Sequence, residues 1–186
     1  MKLAFVVGHN AHAQGAVRKD TGETEYSWNS RLAEMIKAEA RDFPKIEVAV
    51  FKRNPTGRGY AAEIRDVYAR TDAWGADATV EGHFNSHSTA SATGAEVLSS
   101  GSRMSLKFCE AIQEETLAVL GLKDRGTKVV RTGRGAMSLI TGKAPAALTE
   151  PFFGSSPIGL AATDEDKEMR ALARAILRAT QRVFLA

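Results

Sequence analysis

Cysteine is almost missing from this chain: Cys109 is the one thiol in 186 residues. An intramolecular disulfide is therefore impossible, and no second thiolate is at hand for redox or zinc chemistry. A lone Cys reads as a small buried apolar residue. Any metal must then rest on imidazole and carboxylate. Long apolar runs are lacking too. None approaches the ~20 residues that span a bilayer, so no stable membrane association is expected. Charge of one sign is scarce as well: 25 Lys and Arg stand against 22 Asp and Glu, a net +3, too little to specify nucleic acid. The one basic concentration is Lys123, Arg125, Lys128, Arg131, Arg134 and Lys143. It carries none of the aromatics on which single-strand grooves stack bases, and no nucleic-acid partner is expected. Its interspersed glycines make it read as a mobile basic loop, facing solvent or a carboxylate-bearing substrate.

The amino terminus does not read as a leader. Met1–Val7 has one positive charge and a run of five apolar residues before Gly8, without the long apolar core and small-residue cleavage site of a signal peptide. Synthesis in the cytoplasm is expected, and work outside it would need another exit route. Repeats and Pro- or Ser-rich linkers are absent, so residues 1–186 read as one domain. With 44% apolar and 25% charged residues, that domain can bury an ordinary core.

What is present is an alternation of strand and helix patterns. Leu3–Val7 is a short continuous apolar run, as in a strand buried on both faces. Further strands are expected at Ile46–Phe51, Ala76–Phe84, Gly94–Leu98, Thr127–Arg131 and Ala146–Glu150. Helical spacing links Trp28, Leu32, Met35 and Ile36; then Tyr60, Ile64, Val67 and Tyr68; then Leu106, Cys109, Ile112, Thr116, Val119 and Leu120, with Gly121 as the stop. The last helix buries Met169, Leu172, Ala173, Ile176, Val183 and Phe184, with Thr163 as its expected N-cap. The implied fold is α/β: a twisted, mostly parallel but mixed sheet with helices on both faces.

The four histidines fall in two clusters, Gly8-His9-Asn10-Ala11-His12 and Gly82-His83-Phe84-Asn85-Ser86-His87. Each follows a strand, and open α/β sheets put their sites at the carboxyl ends of strands. Two strands delivering imidazole to one edge is a metal-site pattern; capping of loops by His is the plainer alternative. A carboxylate commonly completes a two-His zinc site. Glu23 and Glu25 stand where a helix begins, and either serves as a ligand or merely favours the helix dipole. Glu81 shares strand parity with His83 and is a rival ligand or a supporting partner. Glu150 ends an apolar strand before Pro151-Phe152-Phe153. Burial there would raise its pKa and suit a general base; a salt-bridged loop carboxylate is the alternative.

Taken together, these residues resemble the zinc-dependent N-acetylmuramoyl-L-alanine amidases of the amidase 3 family. Val7-Gly8-His9 leading to Gly15-Ala16 is similar to that family's first motif. Glu25 and Asn29 match its second. Glu81-Gly82-His83-Phe84-Asn85-Ser86 stands where the family has Ser-Ile-His-x-Asn-Ala, followed by Gly94-Ala95-Glu96-Val97 for its Gly-x-Glu-Val strand. Pro145–Glu150 with Phe152-Phe153 matches its last motif. The likeness covers residues 2–180. It implies that His9, Glu25 and His83 bind Zn2+ and that Glu150 is catalytic. It also implies that the substrate is peptidoglycan or a muropeptide, cut between N-acetylmuramic acid and L-alanine.

The chain departs from the pattern at Asn10, where glycine is usual, and at Glu81-Gly82, which adds a charge. His12 and His87 are surplus and are expected near the cleft but outside the ligand set. The expected whole is one catalytic domain without a separate wall-binding domain, acting in the periplasm or cell wall after release, as an endolysin does. Recycling of muropeptides in the cytoplasm is the other setting. A zinc carboxypeptidase or peptidase on a related fold, and a non-catalytic wall-binding module, are the rival functions. Oligomeric state is not legible.

Overall fold

The computed structural model describes residues 1–133 and 135–185. Six strands form one sheet: β1 (Lys2–Val7), β2 (Glu47–Lys52), β3 (Ala78–Gly82), β4 (Ala95–Ser99), β5 (Asp124–Val129) and β6 (Ala146–Glu150). Their order is β2-β1-β3-β6-β4-β5. The pairs β1–β2, β1–β3 and β3–β6 are parallel, whereas β4 runs antiparallel to β6 and carries β5 parallel to itself. The carboxyl ends of β1, β2, β3 and β6 therefore share an edge with the amino end of β4.

Alternation along β1 explains the layering. Leu3, Phe5 and Val7 point into the main core, which is closed by α1 (Glu25–Glu39), α3 (Arg103–Leu120) and α6 (Asp166–Phe184). Val6 points to the other face, against Ile64, Val67 and Tyr68 of α2 (Tyr60–Trp74). The short α4 (Ala136–Ile140) covers Ala146 and Leu148 on that same face. Leu3, Phe5, Val6 and Val7 are all fully buried, each contributing roughly 1.5–3 kcal/mol. The expected mixed sheet with helices on both faces is what forms.

Several boundaries differ from the sequence reading. β3 stops at Gly82, and the segment after it keeps alongside the extension of β6 only through spaced contacts, the His83 amide donating to the Thr149 carbonyl and the Asn85 amide to the Phe152 carbonyl. The expected Thr127–Arg131 strand is shifted to Asp124–Val129. Arg125 and Lys128 thus lie on an edge strand rather than in a loop, and both are spent on Glu96, each at 2.6 Å. Arg131 and Lys143 are exposed; Arg134 lies outside the described residues.

Thr163 is not the N-cap of α6. Glu165 is, in a reciprocal capping box with Glu168. Thr163 is buried one turn earlier, where its hydroxyl donates to the Gly159 carbonyl and accepts from Arg18. That closes α5 (Pro157–Ala161). At five residues each, α4 and α5 are too short to show a periodicity.

Candidate metal centre

The site begins with how α1 starts. Thr24 caps the helix, its Oγ1 accepting from the Ser27 amide at 3.2 Å. Glu25 becomes the first helical residue, and the buried stripe Trp28, Leu32, Ala33 and Ile36 fixes the helix on the sheet. Trp28 rests edge-on against Phe152, with ring centroids 4.9 Å apart. The Glu25 carboxylate is thereby directed over the carboxyl ends of β1 and β3.

Both strands deliver imidazole to it. His9 Nε2 lies 3.1 Å from Glu25 Oε2, and His83 Nδ1 lies 2.6 Å from Glu25 Oε1. One donor atom from each of the three falls within 4.8 Å of the others, so these residues could hold a metal ion between them. The backbone is built for this approach. A Cβ on Gly8 would sit 2.6 Å from the His83 ring. A Cβ on Gly15, where φ is +80°, would sit 2.6 Å from both Glu25 Oε2 and His9 Nε2. His9 itself has φ 65°, the one positive value among the described non-glycine residues, a strain of the kind found at functional sites.

Electrostatics follow from burial and pairing. Burial opposes ionisation of Glu25, yet hydrogen bonds from His83 and His9 hold its pKa down at about 2. Burial likewise opposes charge on His83, but its hydrogen bonds to Glu25 and Glu81 raise its pKa well above the ordinary value.

Glu150 ends β6 on the same cleft of about 970 Å³, which is also lined by His9, Glu25 and His83. It is paired in register with Glu96 of β4. Burial, against a lowering by His83, pushes its pKa up to about 8, with Glu25, Glu96 and Glu81 adding to the rise. Its Oε2 is buried and has no hydrogen-bond partner among the described residues, unlike the salt-bridged loop carboxylate that was the alternative. A carboxyl that holds its proton loosely near neutrality, with an oxygen left unsatisfied, is equipped for proton transfer.

The other expected residues sort themselves by contact. Glu23 pairs with Arg31 at 2.9 Å and stays out of the cluster. Glu81 meets the far side of the His83 ring, Oε1 lying 2.9 Å from Nε2. His12 and His87 are exposed and join neither the cluster nor the cleft lining; the His87 ring accepts the Thr89 amide at 3.0 Å. Arg53 is buried. Its Nε donates to the His9 carbonyl at 2.9 Å. Beside it, Asn10 Nδ2 donates to Glu63 at 2.7 Å. These two clamps on the His9 loop escape sequence reasoning, because their partners lie 44 and 53 positions away. The substitution of Asn10 for the usual glycine is the one signal that points to them.

An open cleft that sets two imidazoles and a carboxylate against a proton-holding carboxyl group places the chain among hydrolases. Comparison with known proteins makes this particular. The family described as N-acetylmuramoyl-L-alanine amidase (amidase 3) matches residues 4–182, and the chain belongs to that family. Among solved structures it is similar to the catalytic domain of CwlV, the amidase of Bacillus (Paenibacillus) polymyxa var. colistinus. The TM-score there is 0.82 at 21% identity, over 98% of this chain and 97% of that one. It is similar to the catalytic domain of the CD27L endolysin targeting Clostridia difficile, with TM-score 0.83, 22% identity and coverage of 98% and 97%. An amidase from Clostridium difficile 630 gives 0.81 and 22%, over 97% and 95%. No curated protein matches the chain. No helix among the described residues is long and apolar enough to cross a membrane.

Proposed function

We propose that this chain hydrolyses the amide joining the lactyl group of N-acetylmuramic acid to L-alanine in peptidoglycan, with zinc held by His9, Glu25 and His83 and with Glu150 as the catalytic carboxyl group. The observation that carries this reading is the convergence of those three donors on one wall of a cleft whose lining also includes Glu150. Two imidazoles and one carboxylate are a donor set that suits zinc and leaves a position open. When bound, zinc supplies a Lewis acid that polarises the scissile carbonyl and acidifies the water beside it.

The chain's own groups do the rest. In its ionised form Glu150 accepts a proton from the attacking water as the water oxygen bonds to the carbonyl carbon. It then delivers that proton to the departing nitrogen as the C–N bond breaks. One carboxyl serves as base and then as acid, and a covalent enzyme intermediate is unnecessary. Arg53 and the Asn10–Glu63 pair hold the His9 loop.

The family's substrate and the likeness to an endolysin domain support action on the wall after release from the cell. Mass analysis of digested peptidoglycan tests the bond assignment: products with free muramyl carboxyl groups and new L-alanine amino termini are expected. New termini elsewhere in the stem peptide would favour the peptidase reading, and binding without new termini would favour a wall-binding module. Zinc content of the purified protein, near one per chain and lost in His83→Ala, tests the ligand set.

A further inference from the structure

Glu81 has no part in the reaction described above, yet it is 1% exposed and sits one strand position pair before a proposed ligand. A carboxylate so buried demands compensation, and its two oxygens show where that comes from. Oε2 accepts the Tyr68 hydroxyl at 2.8 Å, from α2. Oε1 lies 2.9 Å from His83 Nε2, while the opposite nitrogen, Nδ1, faces Glu25 at 2.6 Å. The strand direction favours the contact: residue 83, just past the end of β3, projects to the same face as residue 81, and Tyr68 packs on that face with Val6. Tyr68 is itself 1% exposed, so its hydroxyl has little choice of partner.

We propose that Glu81, held by Tyr68, is the positioning residue that fixes the metal-facing nitrogen of His83. An ionised carboxylate only accepts hydrogen bonds. The nitrogen facing Glu81 must then carry the hydrogen, which leaves the Nδ1 lone pair for the metal and stops the ring from turning over. Carboxylate–histidine–metal arrangements of this type orient the ring and make it a stronger donor. This rests on the zinc reading of the site, and it assigns a use to a charge that stands here where the family pattern has serine. The adjoining Gly82 belongs to the same adjustment. A Cβ there would meet the Phe5 and Asn29 side chains at 2.5 and 2.6 Å, so a larger residue beside Glu81 would require those side chains to shift.

The test measures zinc affinity by competition with a chromophoric chelator, on metal-stripped protein, for the wild type, Glu81→Gln and Glu81→Ala. Circular dichroism checks the fold of each. Glu81→Ala is expected to bind one zinc about 10–100-fold more weakly. Glu81→Gln keeps a carbonyl that can accept from Nε2, and is expected to recover most of that loss. In ¹⁵N spectra of the zinc-loaded wild type, His83 should show hydrogen on Nε2 and metal on Nδ1. That readout does not depend on any variant folding. The opposite nitrogen assignment would overturn the proposal. So would a folded Glu81→Ala that binds zinc like the wild type, or one that loses the site altogether, since Glu81 would then be a ligand. Failure of the wild type to take up zinc would overturn the metal reading itself, and this proposal with it. Normal wild-type uptake with no effect of Glu81 would remove the proposal alone.

Discussion

Glu150→Gln separates the chemistry of this site from its stability. The replacement keeps the shape of the side chain and removes the group that takes and returns a proton. Burial raises the Glu150 pKa from 4.5 to about 8, so the folded protein prefers the neutral carboxyl. The sign follows directly. Below pH 4.5 the residue is neutral in both states and costs nothing. As pH rises toward 8, the unfolded chain ionises freely while the folded one resists, and stability falls across that window and then levels off. At ~1.4 kcal/mol per pH unit this amounts to roughly 5 kcal/mol at the upper bound. Gln has no such charge to bury. Metal-stripped Glu150→Gln should therefore match the wild type near pH 5 and exceed it by several kcal/mol near pH 9, read from urea midpoints at the two pH values. Turnover on wall fragments should meanwhile fall at least about a hundredfold, the usual scale for loss of a general acid–base group, with zinc content unchanged. Equal stabilities at pH 9 would refute the claim that Glu150 is desolvated. Near-normal turnover would refute its role in proton transfer.

Zinc uptake near pH 7 should release about one proton, because His83 must give up the hydrogen it shares with Glu25 before Nδ1 can coordinate; calorimetry in buffers of different ionisation enthalpy measures this, and uptake without proton release would contradict a charged His83. Affinity should accordingly rise with pH through the elevated pKa of that ring. Gly15→Ala places a Cβ 2.6 Å from Glu25 and His9 at φ +80°, and should cost about 1–3 kcal/mol and reduce metal occupancy; a stable, fully loaded variant would show the loop to be more yielding than its geometry implies. Arg53→Ala removes a charged donor from the His9 carbonyl, a bond on the scale of about 1.5–3 kcal/mol, and should weaken zinc binding about tenfold in chelator competition. Unchanged affinity would separate the Arg53 clamp from the metal site.

How far the sequence reaches can be judged from particular residues. His9, His83 and Glu150 were legible because each follows or ends an apolar strand, and a parallel sheet gathers such ends on one edge. Glu25 was legible only as one of two acids near a helix start. The choice between Glu23 and Glu25 is made by Thr24, whose capping bond puts Glu25 inside the helix and on the sheet side, while Glu23 is left to Arg31. Thr163 misled because a buried hydroxyl answering Arg18 looks, in one dimension, like any threonine ahead of an acidic helix start. The basic stretch misled for a related reason: composition shows six cations in the neighbourhood, but not that the antiparallel entry of β4 brings Glu96 against two of them.

That same reversal of β4 bears on why Glu150 behaves as it does. Had β4 run parallel to β6, its carboxyl end and the loop leaving it would lie at the edge that carries the cleft. Because it runs the other way, Glu96 near its amino end sits in register beside Glu150. Arg125 and Lys128 neutralise Glu96, lowering its pKa against the effect of burial. Two carboxylates are thus held on neighbouring strands, one with its cations and one, among the described residues, without. Asn85 is tied to the first by a 3.0 Å hydrogen bond to Glu96, and its backbone bridges to Phe153 beyond β6. The segment after His83 is therefore pinned across β6, leaving Glu150 flanked by ordered chain. The environments push two like groups apart: Glu96 is kept ionised as a strut, and Glu150 is kept near neutrality as the group able to exchange a proton.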